Sequence, residues 1–175
     1  GRVDQRTYFV AGHAVRTEID QDDDGRIERW EYVVTAAAVS RVGSSSANDG
    51  LEDTWTWVAN AAGEVRVDRA QYRDHAIDRR EFQRGDQLSR AEEDANRDGR
   101  VDKWETWENG ALSVAAFDTT FAAGRPDRRL VYDDGRVAFL EADVNGNGTF
   151  ERLASNQPGI TGAGPGSTTN NLRQH

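Results

Sequence analysis

The chain repeats itself every 24 to 25 residues. A turn residue, two further residues, an acid, and an aromatic residue or Arg two places on recur in seven copies, which start at Gly1 (GRVDQRTYF), Gly25 (GRIERWEYV), Gly50 (GLEDTWTWV), His75 (HAIDRREFQ), Gly99 (GRVDKWETW), Gly124 (GRPDRRLVY) and Gly148 (GTFERLA). Successive starts differ by 24, 25, 25, 24, 25 and 24 residues. Such a period belongs to repeat architectures, in which one supersecondary unit buries apolar surface only by stacking on the next.

Each copy opens with a stretch rich in Val, Ile, Trp, Tyr and Thr. In the fifth, Val101, Lys103, Glu105 and Trp107 share one parity, and Asp102, Trp104 and Thr106 the other. This composition suits a strand. A second turn follows, at Ala11-Gly12, Arg84-Gly85, Asn109-Gly110 or Asp134-Gly135. Asn-Gly and Asp-Gly favour hairpins because both central residues tolerate positive φ. A second strand comes next, as over 112–116 and 137–140, and then an acidic loop. The expected fold is all-β, an antiparallel meander or solenoid of about seven hairpins over residues 1–154. Residues 86–93 are open to a helical turn, and Ala and Ser runs mark 36–48 as irregular. The Gly, Ser, Thr and Asn-rich segment 155–175 reads as a tail or linker.

Three of the acidic loops carry a metal-binding pattern: 20–31 (DQDDDGRIERWE), 94–105 (DANRDGRVDKWE) and 143–154 (DVNGNGTFERLA). The first two match the twelve-residue calcium loop D-x-[DN]-x-[DN]-G-x5-E throughout, and the third matches through its Gly but ends on Ala154. Calcium takes six to eight oxygens, and alternate side chains converge as the chain curls round the ion. The ligands expected at positions 1, 3 and 5 are Asp20, Asp22 and Asp24; Asp94, Asn96 and Asp98; Asp143, Asn145 and Asn147. Position 7 offers the carbonyls of Arg26, Arg100 and Thr149, and position 8 anchors each loop through Ile27, Val101 or Phe150.

The last carboxylate has two candidates. Position 12 supplies Glu31 and Glu105, and position 9 supplies Glu28, Asp102 and Glu151. A strand rises about 3.3 Å per residue, so position 12 lies roughly 13 Å beyond position 8 and position 9 is nearer. An acid stands at position 9 in all seven copies, as Asp4, Glu28, Asp53, Asp78, Asp102, Asp127 and Glu151, so it is also expected to accept loop N–H bonds. Two firm calcium sites and one weaker site are expected, in the order of the loops. The loops at 44–49, 70–74 and 118–123 lack alternating carboxylates, and no ion is expected there.

The loop pattern resembles thrombospondin type 3 repeats and the calcium loops of dockerins and EF-hands. The longer unit, D-x-[DN]-x-D-G-x-[IV]-[DE]-x-W-E with an aromatic strand and an Asn-Gly turn, is similar to hairpin repeats of bacterial secreted and outer-membrane-associated proteins. Dockerins place a helix after each loop, whereas the flanks here read as strands. The resemblance implies an extracellular or cell-surface setting, where calcium is millimolar and weak sites fill.

Composition agrees. The formal net charge of −9 excludes nucleic acid and anionic membranes as natural partners. Only 36% of residues are hydrophobic and no Cys is present, so neither a thick core nor disulfides hold the fold. No apolar run is long enough to span a membrane. With no Met in it, the chain is expected to be a processed product or a fragment.

No nucleophile elbow, phosphate loop or dinucleotide fingerprint occurs, and His13, His75 and His175 lack metal spacing, so no enzyme is expected. Trp30, Trp55 and Trp104 share a repeat position with Arg6, Arg80 and Arg129. Cross-strand packing explains such a ladder; a sugar-binding strip, extended by Trp57 and Trp107, is the functional alternative. The expected function is therefore an extracellular, calcium-binding structural or interaction repeat protein, with a carbohydrate-binding module as the alternative. Other surface proteins, glycans or copies of the chain are the expected partners. Gly1 falls at the sixth loop position and the repeats stop at Ala154, so end-to-end association into a filament or matrix is expected through exposed sheet edges.

Overall fold

The computed structural model describes residues 4–35, 38–72, 74–121 and 124–153. The segment 155–175, read above as a tail, lies outside them, as do Gly1 and Ala154. Among the described residues there is no helix. The strands are β1 (Gln5–Val10), β2 (His13–Ile19), β3 (Arg29–Thr35), β4 (Ala38–Ser44), β5 (Thr54–Trp57), β6 (Glu64–Arg69), β7 (Arg79–Arg84), β8 (Gln87–Glu93), β9 (Lys103–Glu108), β10 (Ala111–Phe117), β11 (Arg128–Asp133), β12 (Arg136–Ala142) and β13 (Glu151–Arg152). They form one antiparallel sheet in sequence order. Among the described residues each strand pairs only with its sequence neighbours, so the sheet is a single open layer, neither sandwich nor closed barrel.

Two local readings are corrected. Residues 87–93, open to a helical turn, form β8, and 38–44, read as irregular, form β4. Both are held by pairing on two sides, which overrides the helical bias of Leu88, Ala91 and Glu92. The turn expected at Arg84-Gly85 sits one residue later, because Arg84 pairs with Gln87 and Gly85 takes φ +59. The Ala11-Gly12, Asn109-Gly110 and Asp134-Gly135 turns have positive φ at both residues, the type I′ pattern whose twist matches the flanking strands.

Five hairpins share a bulge on their second strand. The extra residue is Val15, Ser40, Ser89, Ser113 or Ala138. Where it is Ser, its hydroxyl donates to the carbonyl opposite: Tyr32 O at 3.1 Å, Phe82 O at 2.8 Å and Thr106 O at 3.0 Å. The bulge leaves a ladder group without its usual partner, and the serine supplies one while the local twist increases.

A single layer has no conventional core. Among the described residues the buried apolar ones are Trp30, Trp55, Val67, Ala70, Ala91, Ala115 and Ala142, whereas ten polar or charged residues are buried. Cross-strand rows carry the packing. One row crosses all thirteen strands through Arg6, Glu18, Trp30, Gly43, Trp55, Asp68, Arg80, Glu92, Trp104, Ala116, Arg129, Glu141 and Arg152. The expected Trp and Arg ladder therefore exists, but with acids and small residues interleaved.

The neighbouring row on the same face alternates aromatic rings and guanidinium groups. Arg16 lies 4.6 Å from the Tyr8 ring centroid, Arg41 4.1 Å from Tyr32, Arg66 4.3 Å from Trp57 and Arg90 3.3 Å from Phe82. Arg16, Arg66 and Arg90 each also bind the acid two residues on, Glu18, Asp68 or Glu92. Trp57 Nε1 donates to the same buried Asp68 at 2.8 Å. In β4 the acid is replaced by Gly43, and Glu52 folds into the space, where it accepts from Tyr32 Oη at 2.6 Å. Burial and this carboxylate push the Tyr32 phenol above its ordinary value.

The opposite face carries an ion-pair ladder. Arg79 donates to Glu81, Glu93 and Glu105 at 2.8–3.0 Å, and Lys103 to Glu93 and Glu105 at 3.0 and 2.8 Å. Burial alone would raise the carboxyls of Glu81 and Glu105, but the hydrogen bonds and charges of Arg79, Arg69 and Lys103 outweigh it and hold both below the usual range.

Candidate metal centre

Because the strands run in sequence order, all six long loops leave the same edge of the sheet and all hairpin turns leave the other. Successive loops stand two strands apart, about 10 Å at ~4.8 Å per strand. One backbone bond fixes each loop at its start: the N–H of Asp20, Ser45, Ala70, Asp94, Asp118 or Asp143 donates to the carbonyl of Asp4, Glu28, Asp53, Asp78, Asp102 or Asp127 at 2.8–3.0 Å. Those acceptors are the position-9 residues of the preceding unit.

The side chain at position 9 closes its own loop. Glu28 accepts from Gln21 N at 2.6 Å, Asp53 from Ser46 N at 3.1 Å, Asp78 from Gln71 N at 2.9 Å, Asp102 from Ala95 N at 3.0 Å and Asp127 from Thr119 N at 3.2 Å. This is why the acid recurs in loops that lack a metal pattern. The curl itself comes from left-handed residues at positions 4 and 6: Asp23 and Gly25, Asn48 and Gly50, Arg97 and Gly99, Gly146 and Gly148. In the loop at 70–78 position 6 is left-handed too, with His75 (φ +65) in place of Gly. A shared backbone therefore underlies loops with and without alternating carboxylates.

In the first loop, oxygens of Asp20, Asp22, Asp24 and Glu28 all lie within 4.8 Å of one another. Among the described residues no other group of acidic or His side chains gathers this closely. Asp20 is 5% exposed. Its Oδ2 accepts from Gly25 N at 2.8 Å, while its Oδ1 is buried with no hydrogen-bond partner. Glu28 Oε1 is likewise buried and unpartnered. Buried carboxylate oxygens without donors are costly unless a cation meets them. Four carboxylates with two such oxygens fit a hard divalent cation.

The second and third loops make the backbone bonds of the first and add one that it lacks: the N–H of position 5 donates to Asp94 Oδ1 or Asp143 Oδ1, the atom that is unpartnered in Asp20. Asp94 accepts from Asp98 N at 3.1 Å and Gly99 N at 2.8 Å, and Asp98 from Arg100 N at 2.9 Å; Asn96 Oδ1 accepts from Asp98 N at 2.9 Å. Asp143 accepts from Asn147 N at 3.0 Å and Gly148 N at 2.9 Å, and Asn145 and Asn147 accept from Asn147 N and Thr149 N. Arg125 from the adjacent loop also reaches here, 3.7 Å from Asp143 Oδ2 and 2.7 Å from Gly146 O. Glu151 lies exposed in β13.

Position 12 stands apart from the loops. Glu31 sits in β3 and binds Arg29 Nε at 2.9 Å, and Glu105 sits in β9 within the ladder of Arg79 and Lys103. Extended backbone carries both away from the loops, and Glu28 takes the place that Glu31 was expected to share. Asp118, in a loop where no ion is expected, takes the same backbone place as the first residue of the three acidic loops. It is 2% exposed and accepts from Gly124 N at 2.8 Å, the bond that Asp20, Asp94 and Asp143 make to their own Gly. Its loop is one residue longer, so a fixed-spacing pattern misses this equivalence. Comparison of the chain with protein-family models, with curated proteins and with solved structures gives no match.

Proposed function

We propose that this protein is a calcium-binding structural or interaction repeat protein of the cell exterior, in which ions rigidify one edge of a long single-layer sheet. The observation that carries this reading is the Asp20, Asp22, Asp24 and Glu28 cluster, with two buried oxygens that no protein donor satisfies. Bound calcium would supply positive charge to those oxygens and tie the start of the loop to its end. The loop at 94–105 is the second site in this reading and the loop at 143–154 the weakest, since Arg125 already brings a positive charge there. Partners are other surface proteins or further copies of the chain. The carbohydrate alternative has less support, because Trp30 and Trp55 are each only 7% exposed.

Calcium that binds only the folded chain stabilises it by RT ln(1 + [Ca]/Kd), about 2.7 kcal/mol per site at a hundredfold excess over Kd. Melting curves in chelator, calcium and magnesium test the proposal. Calcium should raise the melting temperature well above the chelator value and magnesium should do less, because magnesium demands small octahedral sites. Identical curves in chelator and calcium would refute it.

A further inference from the structure

We infer that the ion of the first loop is shared between two repeats, with Asn48 of the next loop as one of its ligands. The inference rests on the calcium reading above. Asn48 stands at position 4 of the loop between β4 and β5, at φ +51. Two contacts hold it over the first loop: its Nδ2 donates to Asp22 Oδ2 at 3.0 Å, and Arg26 Nη1 donates to its carbonyl at 3.1 Å. Its own Oδ1 is buried and has no hydrogen-bond partner. Asp20 Oδ1 and Glu28 Oε1 are unpartnered as well, and Asp20 is almost fully buried. Two orphaned carboxylate oxygens of the first loop and the side-chain amide of the next repeat thus meet at one group of carboxylates.

The geometry of the amide completes the case. Amide nitrogen and oxygen exchange places by a half-turn of the group. That turn sets Asn48 Oδ1 where Nδ2 now stands, 3.0 Å from Asp22 Oδ2. Two oxygens about 3 Å apart can both lie at the ~2.3–2.6 Å that calcium requires. With the ion present the amide presents oxygen to it; without the ion it presents N–H to Asp22. No other loop offers this arrangement among the described contacts. Asp74 meets Arg97 of the second loop and Arg125 meets Asp143 of the third, so those neighbours present partners of a different kind.

The consequence is mechanical. An ion held within one loop stiffens one connection, whereas an ion also held by Asn48 joins the hairpin β1–β2 and strand β3 to β4 and β5. The test uses the full chain with Asp98→Ala and Asn147→Ala, which leaves the first loop as the site read by calcium calorimetry. Asn48→Ala in this background should weaken calcium binding by at least about tenfold, the lower bound for loss even of an outer-shell partner. Asn48→Asp, which adds a charged ligand, should tighten it by a comparable factor. Thermal melts in chelator report whether either variant perturbs the apo fold. Calcium affinity unchanged in both variants would overturn the role of Asn48 while leaving the first-loop ion standing. No calcium binding by the parent background at millimolar concentrations would overturn the ion itself.

Discussion

Asp24→Asn should change the sign of its effect on stability when calcium is added. Asp24 belongs to a group of four carboxylates gathered within 4.8 Å, so neutralising it removes three like-charge pairs. Each pair repels by about 0.9 kcal/mol at 4.8 Å in a water-like dielectric, and salt at physiological strength cuts this to roughly half. Without calcium the variant should therefore gain roughly 1.5 kcal/mol. The replacement keeps its main bond, since an amide oxygen still accepts from Arg26 N, and the ion pair to Arg26 at 3.7 Å is exposed and contributes little.

With calcium the balance reverses. A divalent ion ~2.4 Å from a carboxylate attracts it about four times as strongly as one neighbouring carboxylate at twice that distance repels it. Four units of attraction lost exceed three of repulsion relieved, and this ratio does not depend on the dielectric constant chosen. On the same screened scale the loss in binding is about 2 kcal/mol, roughly thirtyfold in Kd, and the net effect in saturating calcium is a destabilisation of about 0.5 kcal/mol. For a chain of this length 1 kcal/mol moves the melting temperature by about 2–4 °C. Circular dichroism melts in EGTA should thus show a rise of about 3–6 °C, and melts in calcium a fall of about 1–2 °C. A shift of the same sign and size in both conditions would refute an ion at this cluster.

Gly43→Ala should destabilise by about 1–2 kcal/mol: its Cβ would lie 1.8 Å from Glu52 Oε1, so Glu52 must leave and its charge-assisted bond from Tyr32 is lost, outweighing the ~0.4–1 kcal/mol gained from the unfolded chain. Urea unfolding monitored by tryptophan fluorescence reads this, and an equal or higher midpoint would contradict it. Arg125→Gln should improve calcium binding at the third loop, because it removes a cation 3.7 Å from Asp143; calorimetry on a chain with Asp22→Ala and Asp98→Ala would show no gain if Arg125 is irrelevant. Glu81 and Glu105 have lowered values in the folded sheet, so their contribution is complete above the ordinary carboxylate range and is lost as pH falls through the folded values. Glu105→Gln should flatten the acid limb of the stability curve measured in chelator, and an unchanged limb would assign acid sensitivity elsewhere.

The hairpin meander was legible because the repeat, the type I′ turn residues and the strand composition agree with one another. The role of position 9 was also legible: an acid present in loops without a metal pattern must serve the loop, and all five position-9 acids from Glu28 to Asp127 accept a loop N–H. The second strands were harder. Arg16, Arg41, Arg66 and Arg90 recur at 25, 25 and 24 residues, but their meaning depends on register, which places each beside an aromatic ring of the preceding strand. The bulges were not legible: Ser40, Ser89 and Ser113 share a hydroxyl that meets the opposite carbonyl, but Val15 and Ala138 hold the same position without one, so no residue type marks it. Asn48 escaped notice for a related reason: its relevance lies 26 residues away at Asp22, across the edge of the sheet rather than along its own loop.

The two faces and the two edges of the sheet divide the work of holding a layer that has almost no core. On the faces, cohesion comes from rows in which Arg side chains meet acids and rings of strands one or two places away, as Arg66 meets Trp57 and Arg79 meets Glu93 and Glu105, so each strand depends on the few beside it. At the turn edge, tight hairpins join strands within a repeat. The loop edge carries the chain from one hairpin to the next, and six of the nine buried acids among the described residues lie there: Asp20, Asp53, Asp78, Asp102, Asp118 and Asp143. In a nearest-neighbour array the weakest interface limits the whole. Where a loop satisfies its own acids, as Asp118 and Asp143 do, the interface closes without help. At Asp20 it does not, and the oxygens left over by the backbone are the ones that a cation and the adjacent Asn48 are placed to meet. On the proposed reading, calcium would act less on any single hairpin than on the coupling between hairpins, which is the property that a long, thin sheet most lacks.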